Sequence, residues 1–333
     1  MKKTRILESV PAPGKIVKYV DSFTTYAPSD LDYTYFSWTR ALFSNYQVFH
    51  VHWPEFLLRD KTAMRRKIRR VLYAILILRL KCLGTPVVRT MHNMQPHSPG
   101  SDAEMRVLQK LDHLTERYVI LSTGTQTPRP EITVVIPHGD FRDVFKSMPS
   151  SRKVPNRVLL FGRIEPYKGV IEFIRASEEI RTDNVEFRIV GGADAHMIAE
   201  IEAAIGARDS HRVAVTTRFE TVSDSEMVSE ITRASLVILP YTDSGNGNSG
   251  VAMVALSLNR PVLVYENPIM AELAREVGSE WVQMMAEPVN GPQIDRALQY
   301  LDALNLTEPE FVGRDWHSIA NSYAQLFREV TNQ

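Results

Sequence analysis

Two cations lie five residues apart in the stretch FGRIEPYKG, residues 161–169, which follows an apolar run. The proline and the flanking glycines favour a turn, and the helical spacing of the next apolar residues predicts a helix directly behind it. Arg163 and Lys168 would then lie at a helix N-terminus, where free N–H groups and the helix dipole favour anions. The pattern suits a phosphate or diphosphate. A solvated loop with a salt bridge to Glu165 is the alternative.

A glycine-rich segment follows another predicted strand. Residues 236–239 lead through Tyr241 into TDSGNGNSG, and an apolar helical segment follows at once. Backbone N–H groups in such a turn can approach a phosphate closely because glycine has no side chain. Alone, a glycine-rich loop is more often a mobile linker. Together with the cation pair, and with Gly191 and Gly192 after a third strand, it predicts a nucleotide diphosphate site.

Histidines stand at the ends of two predicted strands in the first half of the chain. Residues 86–91 are followed by His92, and the stretch HVHWPE supplies His50, His52 and Glu55. A histidine can accept a hydroxyl proton at neutral pH, so each strand end offers a general base. Glu55 is a rival base, and an ordinary hydrogen-bonded histidine is the alternative. We expect His50 and His52 to alternate between strand faces, so that only one of them faces the site.

These residues need strands whose carboxyl ends position them. Short apolar runs alternate with helix-period segments, which predicts parallel sheets wrapped by helices. We predict an α/β fold with two Rossmann-like, doubly wound domains, 1–150 and 151–312, divided near Ser150. Ligands of such sheets bind beyond the carboxyl ends of the strands. The predicted strands span residues 4–10, 31–37, 47–52, 86–91, 118–122 and 133–137, then 157–161, 185–190, 212–216, 236–239, 261–264 and 281–283.

Composition excludes several classes of protein. Lys plus Arg and Asp plus Glu each number 39 among 333 residues, so bulk charge gives no reason to expect a nucleic-acid partner. Cys82 is the single cysteine, which excludes an internal disulfide and a cysteine-based zinc site. The N-terminal residues lack the apolar core of a signal peptide, and no run reaches the ~18 apolar residues of a membrane span. We therefore expect a cytoplasmic protein.

The order of these motifs resembles a known family. LLFGRIEPYKGV, VEFRIVGG and NSGVAMVALSLNRPVLV, between residues 158 and 264, resemble the donor-binding domain of GT-B fold glycosyltransferases. The resemblance is greatest to family 4 and related bacterial exopolysaccharide glycosyltransferases. It implies two Rossmann-like domains with a cleft between them, and a final helical segment, 313–333, that crosses back to the N-terminal domain. It also implies that Arg163 and Lys168 clamp the diphosphate of a nucleotide-sugar donor.

The same resemblance assigns roles to the remaining candidates. At the donor diphosphate they are Asn248, Ser249 and Gly250, and at the nucleotide or sugar they are Gly192, Tyr241, Asn246 and Glu266. On the acceptor side they are Gly14, His52 and His138, with His92 as the catalytic base near the reacting carbon and Glu55 as its rival. A plain turn is the alternative at His138.

The chain departs from the family pattern at the sugar end of the donor. Two glutamates normally precede the G-x-P-V segment, and the corresponding positions hold Asn246 and Val254. Their absence fits either a subgroup that holds the donor through Asn248, Ser249 and Gly250 or a degenerate enzyme. We favour the subgroup because the glycine-rich turn and the cation pair are both retained.

We expect no metal and no cofactor. Fixed cations and oriented N–H groups can stabilise the negative charge that develops on a departing diphosphate. The metal-binding D-x-D of the other glycosyltransferase fold is matched formally by Asp30-Leu31-Asp32. Three-residue matches are common by chance, however, and this one precedes its strand, where a turn is expected.

A basic helix is predicted over residues 61–83. Its apolar residues Met64, Ile68, Val71, Ile75 and Leu78 fall on one face, and Arg65, Arg66, Arg69 and Arg70 line the opposite side. A basic stripe of this density attracts anionic lipid head groups. The alternative is a core helix with a solvated face.

The sequence thus predicts a metal-independent glycosyltransferase with a GDP-mannose or UDP-hexose donor, which the H-x-H-W-P resemblance indicates. Its acceptor would be a saccharide or a polyprenyl-linked saccharide in surface polysaccharide or glycolipid synthesis, with peripheral attachment to the inner membrane face as an option. Two alternatives stay open: a catalytically silent partner subunit and a sugar-nucleotide epimerase. The missing glutamates speak against the epimerase.

Overall fold

The computed structural model describes residues 3–14, 19–92, 100–209, 212–242 and 248–332. It divides into unit 1, Met1–Gly139 with Gly313–Gln333, and unit 2, Asp140–Val312. The division falls ahead of the predicted boundary near Ser150. The reason is that Phe141 donates its N–H to Ser257, and Arg142 bonds the carbonyl of Pro309, so both belong to unit 2.

Unit 1 is built on a six-stranded parallel sheet in the order β2-β1-β3-β4-β5-β6. The strands are β1 Thr4–Glu8, β2 Leu31–Tyr35, β3 Val48–Val51, β4 Val87–Met91, β5 Thr115–Ile120 and β6 Thr133–Val135. The first helices of the chain are α1 Tyr19–Thr25, α2 Trp38–Phe43, α3 Ala63–Leu83 and α4 Asp102–Leu114. The predicted 118–122 strand begins earlier, as β5, because Thr115 and Arg117 pair with Val87 and Val88 although both are polar.

Unit 2 has a second six-stranded parallel sheet, in the order β12-β11-β10-β7-β8-β9. Its strands are β7 Arg157–Phe161, β8 Glu186–Val190, β9 Ala214–Arg218, β10 Leu236–Leu239, β11 Val262–Tyr265 and β12 Val282–Met285. Its helices are α5 Arg142–Phe145, α6 Val170–Ala176, α7 Ala195–Gly206, α8 Asp224–Arg233, α9 Gly250–Ser257, α10 Pro268–Val277 and α11 Gly291–Asp302. The last helix of the described residues is α12, Trp316–Thr331, which belongs to unit 1. The predicted α/β class with two doubly wound sheets is confirmed.

The cores explain why the strands were readable as apolar runs. β7 and β10 are buried along their whole length, as expected for central strands of a parallel sheet with helices on both faces. Phe173 of α6 stacks on Phe187 of β8 with ring centroids 4.1 Å apart. Side-chain caps fix the helix starts: Ser223 and Glu226 form a capping box at the start of α8.

Each sheet order defines a switch point, where successive crossovers leave a strand pair in opposite directions and ligands characteristically bind. In unit 1 this point lies between β1 and β3. In unit 2 it lies between β7 and β10. The residues that follow these four strands are therefore where a site is expected.

Helix α3 packs on its unit through a different face from the apolar stripe that was predicted from the sequence. Its buried residues are Tyr73, Leu76 and Leu80. The five-residue apolar stripe Met64, Ile68, Val71, Ile75 and Leu78 is exposed, from 46% at Ile75 to 68% at Met64. The alternative of a core helix with this stripe inward is therefore wrong. Among the described residues, no helix is both long enough and apolar enough to cross a membrane.

Candidate functional site

The turn after β7 depends on two glycines with left-handed backbones. Gly162 has φ 104° and Gly169 has φ 64°. A Cβ on Gly169 would lie 2.1 Å from the carbonyl oxygen of Pro240, which follows β10. The N–H of Thr242 donates to the carbonyl of Tyr167 at 2.7 Å. The two loops at the unit 2 switch point are therefore held against each other.

The Gly191-Gly192 pair adjoins the same turn. A Cβ on Gly191 would lie 1.9 Å from the carbonyl oxygen of Gly162, and the N–H of Ile164 donates to the carbonyl of Gly192 at 2.9 Å. Gly192, predicted at the nucleotide or sugar, thus lies beside the cation turn. The close backbone approach explains why a side chain is excluded at Gly191.

Lys168 is a buried cation, with only 7% of its surface exposed. Its ammonium lies 5.2 Å from the ring centroid of Tyr241, another predicted donor residue. Within the part of the chain that the structure describes, no carboxylate forms an ion pair with it. Burial lowers the pKa of Lys168 to about 8, against the opposing effect of Glu165. Such an ammonium gains stability when an anion approaches it.

Arg163 is arranged differently. Its side chain is 81% exposed and bonds Glu165 two residues along, so the salt bridge weighed as the alternative is present. An exposed ion pair of this kind contributes little and breaks at small cost. Arg163 can therefore leave Glu165 for a ligand phosphate, and the salt bridge and the anion role are compatible.

The N-terminus of α9 completes this group. Ser249 caps the helix by accepting from the N–H of Ala252, and Val251 lies 3.4 Å from the Cβ position of Gly162. Gly250 is exposed, with open space where a Cβ would be, so nothing in the structure requires glycine there. Asn248 directly precedes the cap. Asn246 lies outside the described residues.

Glu266 stands apart from the others. It is exposed after β11, which lies on the far side of β10 from β7. The next residue, Asn267, caps α10 through its side chain. Nothing described in unit 2 joins Glu266 to Lys168 or Arg163.

In unit 1, a carboxylate and three imidazoles form a connected cluster beyond the switch point. Glu8 ends β1 and is fully buried. Nδ1 of His50 lies 3.0 Å from its Oε1, and Nε2 of His52 lies 3.0 Å from its Oε2. Nδ1 of His52 lies 2.8 Å from Nε2 of His92, which directly follows β4. Three neighbouring strands, β1, β3 and β4, thus supply one hydrogen-bonded group, named here the Glu8 cluster (Glu8, His50, His52 and His92).

Aromatic rings hold the predicted acceptor-side residues around His92. Trp53 stacks on His92 with centroids 3.9 Å apart, and it does so from a left-handed backbone, φ 36°, that bulky residues rarely adopt. Tyr19 packs edge-on against both His92 and His138, at 5.2 and 5.0 Å. The structure therefore brings His52, His92 and His138 together, with Tyr19 between the last two.

Two sequence predictions about this region are corrected or left without support. Both His50 and His52 face the same carboxylate, so the expectation that they lie on opposite strand faces is wrong: side chains two residues apart in a strand share a face. Glu55 is buried in the 3-10 turn Pro54–Leu57, and its charge acts on Tyr73 of α3, whose pKa is raised mainly by burial. No described contact joins it to the Glu8 cluster.

Gly14 of the acceptor-side prediction lies in an exposed loop. A Cβ there would meet nothing within 4 Å. The loop follows β1, as predicted, but no described contact connects Gly14 to His92 or His52.

Burial sets the protonation of the unit 1 group. It lowers the pKa of His50 to about 3, of His52 to about 4 and of His138 to about 4, and it lowers that of His92 well below the usual range. Burial also raises the pKa of Glu8, opposed by its bond to His52. The imidazoles are therefore neutral near pH 7, the form that can accept a proton.

The side chains that could ligate a metal ion have partners within the protein. Glu8, His50 and His52 offer ligand atoms within 4.8 Å of one another, but the nitrogens that face Glu8 already form hydrogen bonds to it. Asp30 of the D-x-D stretch bonds Arg328 through both oxygens, and Asp32 lies 3.8 Å from Arg5. The D-x-D carboxylates are thus engaged by arginines.

Sequence reasoning missed four members of this region: Glu8, Tyr19, Thr90 and Tyr323. Glu8 carried a signal, since a carboxylate interrupts the apolar strand RILESV at its carboxyl end. Thr90 and Tyr19 looked like ordinary strand and helix residues. Tyr323 lies in α12, 233 residues from its partner Thr90, and no local pattern connects them.

Comparison with protein families and curated proteins gives concordant matches. The model of a family described as "Family 4 Glycosyltransferase in conflict systems" matches residues 111–308. The chain is 33% identical over 304 residues to a GDP-mannose:glycolipid 4-beta-D-mannosyltransferase of Xanthomonas campestris pv. campestris. That alignment covers 91% of this chain and 85% of the relative.

Solved structures share the fold at low identity. A sucrose-phosphate synthase from Thermosynechococcus elongatus matches with a TM-score of 0.60 and 13% identity, covering 99% of this chain and 100% of that one. Anabaena HepE in complex with UDP-glucose matches with a TM-score of 0.61 and 13% identity, covering 100% and 99%. At this identity the likeness concerns the arrangement of strands and helices.

Proposed function

The chain belongs to family 4 of the glycosyltransferases, and from this premise we propose that it transfers mannose from GDP-mannose to a hydroxyl of a lipid-linked saccharide. The predicted family and the GT-B fold are confirmed, and the chain is a glycosyltransferase. The proposed donor and acceptor follow the relative that is 33% identical, which is named for GDP-mannose and a glycolipid. The observation that carries the proposal is the buried Lys168 beside Tyr241 at the unit 2 switch point.

Unit 2 supplies what a donor diphosphate needs. Lys168 offers a desolvated charge, Arg163 an exposed guanidinium, and the first turn of α9 offers N–H groups beside Gly162. Bond cleavage between sugar and diphosphate leaves negative charge on the diphosphate, and fixed cations stabilise that charge as it develops. We propose that this stabilisation replaces a metal ion.

The pKa of Lys168 gives a testable pH dependence. Because its pKa is about 8 in the free protein, a bound diphosphate should raise it and draw in a proton. We expect GDP binding at pH 8 to take up about half a proton per site, and affinity to fall as pH rises above 8. Calorimetry in buffers of different ionisation enthalpy measures the uptake.

The control for this experiment is Lys168→Met, which should abolish the proton uptake. Titration of the nucleotide itself would persist in that variant and is thereby subtracted. Binding without proton uptake between pH 8 and 9 would show that Lys168 does not meet the diphosphate.

Unit 1 supplies the proposed base. A neutral, buried His92 held by Trp53 and His52 can accept the proton of the attacking hydroxyl. His138 and Tyr19 pack against the same group and would shape the acceptor side. Glu55 is not retained as a base in this proposal, since it is buried in the Pro54–Leu57 turn and no described contact joins it to the Glu8 cluster.

The function is tested directly by transfer. Purified protein would be incubated with radiolabelled GDP-mannose or UDP-glucose and a polyprenyl-diphosphate-linked oligosaccharide, and labelled lipid would be extracted. We expect labelled lipid with GDP-mannose as the donor but not with UDP-glucose. We also expect thermal stabilisation by GDP but not by UDP. If the protein binds nucleotide but transfers no sugar, and transfer appears when a partner transferase is added, the chain would be a silent subunit instead.

We further propose that α3 binds an anionic membrane surface. This proposal is supported by the exposed apolar stripe of α3, together with the exposed cations Arg65 and Lys67 in the same turns. The other arginines contribute less than their number suggests, because Arg66 bonds the carbonyl of Asp60, Arg69 pairs with the Asp60 carboxylate at 2.9 Å, and Arg70 bonds Ser101. Apolar insertion with flanking positive charge is the pattern of interfacial helices.

Vesicle binding checks this surface. We expect Ile68→Glu and Ile75→Glu to weaken binding to phosphatidylglycerol vesicles about tenfold each, which corresponds to about 1.4 kcal/mol, without lowering the melting temperature, because both side chains are exposed. Val135→Glu, at a 49% exposed position of the same unit, is the matched control. Equal loss in the control, or a dimer that dissociates when Ile68 is replaced, would contradict the membrane assignment.

A further inference from the structure

A buried carboxylate lies at the centre of the Glu8 cluster, and no role proposed above uses it. We propose that Glu8 is a positioning residue that fixes the tautomer of His92 by way of His52. Both oxygens of Glu8 face ring nitrogens at 3.0 Å. The inference rests on the proposed function, in which His92 accepts the proton of the acceptor hydroxyl.

The direction of each hydrogen bond follows from what the groups can donate. The proposal takes Glu8 as ionised, and a carboxylate only accepts, so Nε2 of His52 must carry a proton toward Glu8. Neutral His52 then has its lone pair on Nδ1, 2.8 Å from Nε2 of His92. Nε2 of His92 must donate to that lone pair. The lone pair of His92 is thereby left on Nδ1, the nitrogen that would receive the acceptor proton.

The second branch of the cluster obeys the same rule. Nδ1 of His50 donates to Glu8, which leaves its Nε2 to accept from the hydroxyl of Thr90 at 2.8 Å. Thr90 in turn lies 3.0 Å from the hydroxyl of Tyr323, and Tyr323 lies 3.1 Å from that of Tyr19. A single orientation, with every donor pointing toward Glu8, satisfies all of these buried groups.

Glu8 also offsets the energetic cost of protonating a buried histidine. When the acceptor O–H bond breaks, its proton moves to Nδ1 of His92, the acceptor oxygen bonds the sugar carbon, and the diphosphate leaves with its electron pair. His92 then carries a positive charge, which burial disfavours. The negative charge of Glu8, transmitted through His52, offsets it, as an acidic partner does for other catalytic histidines.

The proposal is tested first on the unsubstituted full chain, by NMR after labelling with ¹⁵N-histidine, and substituted proteins serve only for assignment. Two-bond ¹H–¹⁵N correlations show which ring nitrogen carries a proton, and His50→Gln, His52→Gln and His92→Gln assign the signals. We expect protons on Nδ1 of His50, Nε2 of His52 and Nε2 of His92. A proton on Nδ1 of His92 instead would overturn the proposal. So would stoichiometric metal in the sample with both nitrogens that face Glu8 unprotonated.

Glu8→Gln adds a kinetic readout. A carboxamide accepts with one atom and donates with the other, so at least one of His50 and His52 must change tautomer, and the negative charge is lost in either case. We expect kcat to fall about 10²-fold with GDP affinity unchanged. A folded variant with wild-type tautomers and wild-type kcat would overturn the proposal.

The proposed role of Glu8 and the proposed role of His92 as the base can be disproved independently of each other. If His92→Gln keeps full transfer activity while the tautomers are as expected, His92 is not the base but Glu8 still sets its tautomer. If His92→Gln is inactive and the tautomers are reversed, the function stands and the role of Glu8 is rejected.

Discussion

Lys168→Met is expected to lower kcat/KM for sugar transfer by about 10²–10³-fold, the usual cost of removing one group that stabilises developing negative charge. The side chain is buried, so water cannot replace the ammonium against the diphosphate. Arg163, being exposed and paired with Glu165, cannot occupy the same position. Steady-state transfer with GDP-mannose measures the effect, and GDP titration separates affinity from turnover.

The same substitution should make the free protein more stable, which distinguishes lost chemistry from misfolding. A folded-state pKa near 8 in place of 10.5 means that the folded chain holds the Lys168 proton less tightly than the unfolded chain does. At pH 7 the charged lysine therefore destabilises the fold by about 3 kcal/mol, at about 1.4 kcal/mol per pKa unit. Methionine removes that cost at similar volume, so the melting temperature should rise, and the difference from wild type should shrink as pH rises from 8 to 10.5.

Lys146→Met is the matched control, because Lys146 is an exposed lysine of the same unit. It should change neither turnover nor stability. A Lys168→Met protein that binds GDP within threefold of wild type would show that the ammonium does not contact the diphosphate.

The central strands, such as β7 and β10, were predictable because central strands of parallel sheets are buried on both faces and form apolar runs in the sequence. Helix α3 shows the limit of this reasoning. Its helical period predicted two faces but not which one would be covered. Tyr73, Leu76 and Leu80 form a second apolar face that packs on the unit, and the broader stripe remains exposed. Periodicity reports amphipathicity, whereas packing partners decide burial.

The candidate residues of unit 1 and those of unit 2 differ in predictability for a similar reason. Arg163 and Lys168 share one turn, so their spacing and their glycines could be read locally. Glu8, His52 and His92 come together only because β1, β3 and β4 are neighbours in the sheet. Strand order is a property of the whole unit, and no local pattern encodes it.

His92→Gln is expected to lower kcat by about 10²–10⁴-fold, the range usual for a general base. Glutamine can keep a hydrogen bond to His52 and a planar group against Trp53, so the change removes proton acceptance more than packing. GDP affinity should be unchanged, because the proposed diphosphate ligands belong to unit 2. Single-turnover transfer from GDP-mannose at saturating donor isolates the chemical step.

His113→Gln is the matched control: His113 is an exposed histidine of unit 1 at the end of α4, and its replacement should leave kcat unaltered. Rescue by a small base sharpens the test. In His92→Gly, added imidazole should restore part of the transfer rate, whereas 1,3-dimethylimidazolium, which has no ring-nitrogen lone pair, should not. Rescue by both compounds would mean that His92 only fills space beside Trp53. Rescue by imidazole alone would support proton acceptance at this position, since both molecules are planar rings and only imidazole has a ring nitrogen that can accept a proton.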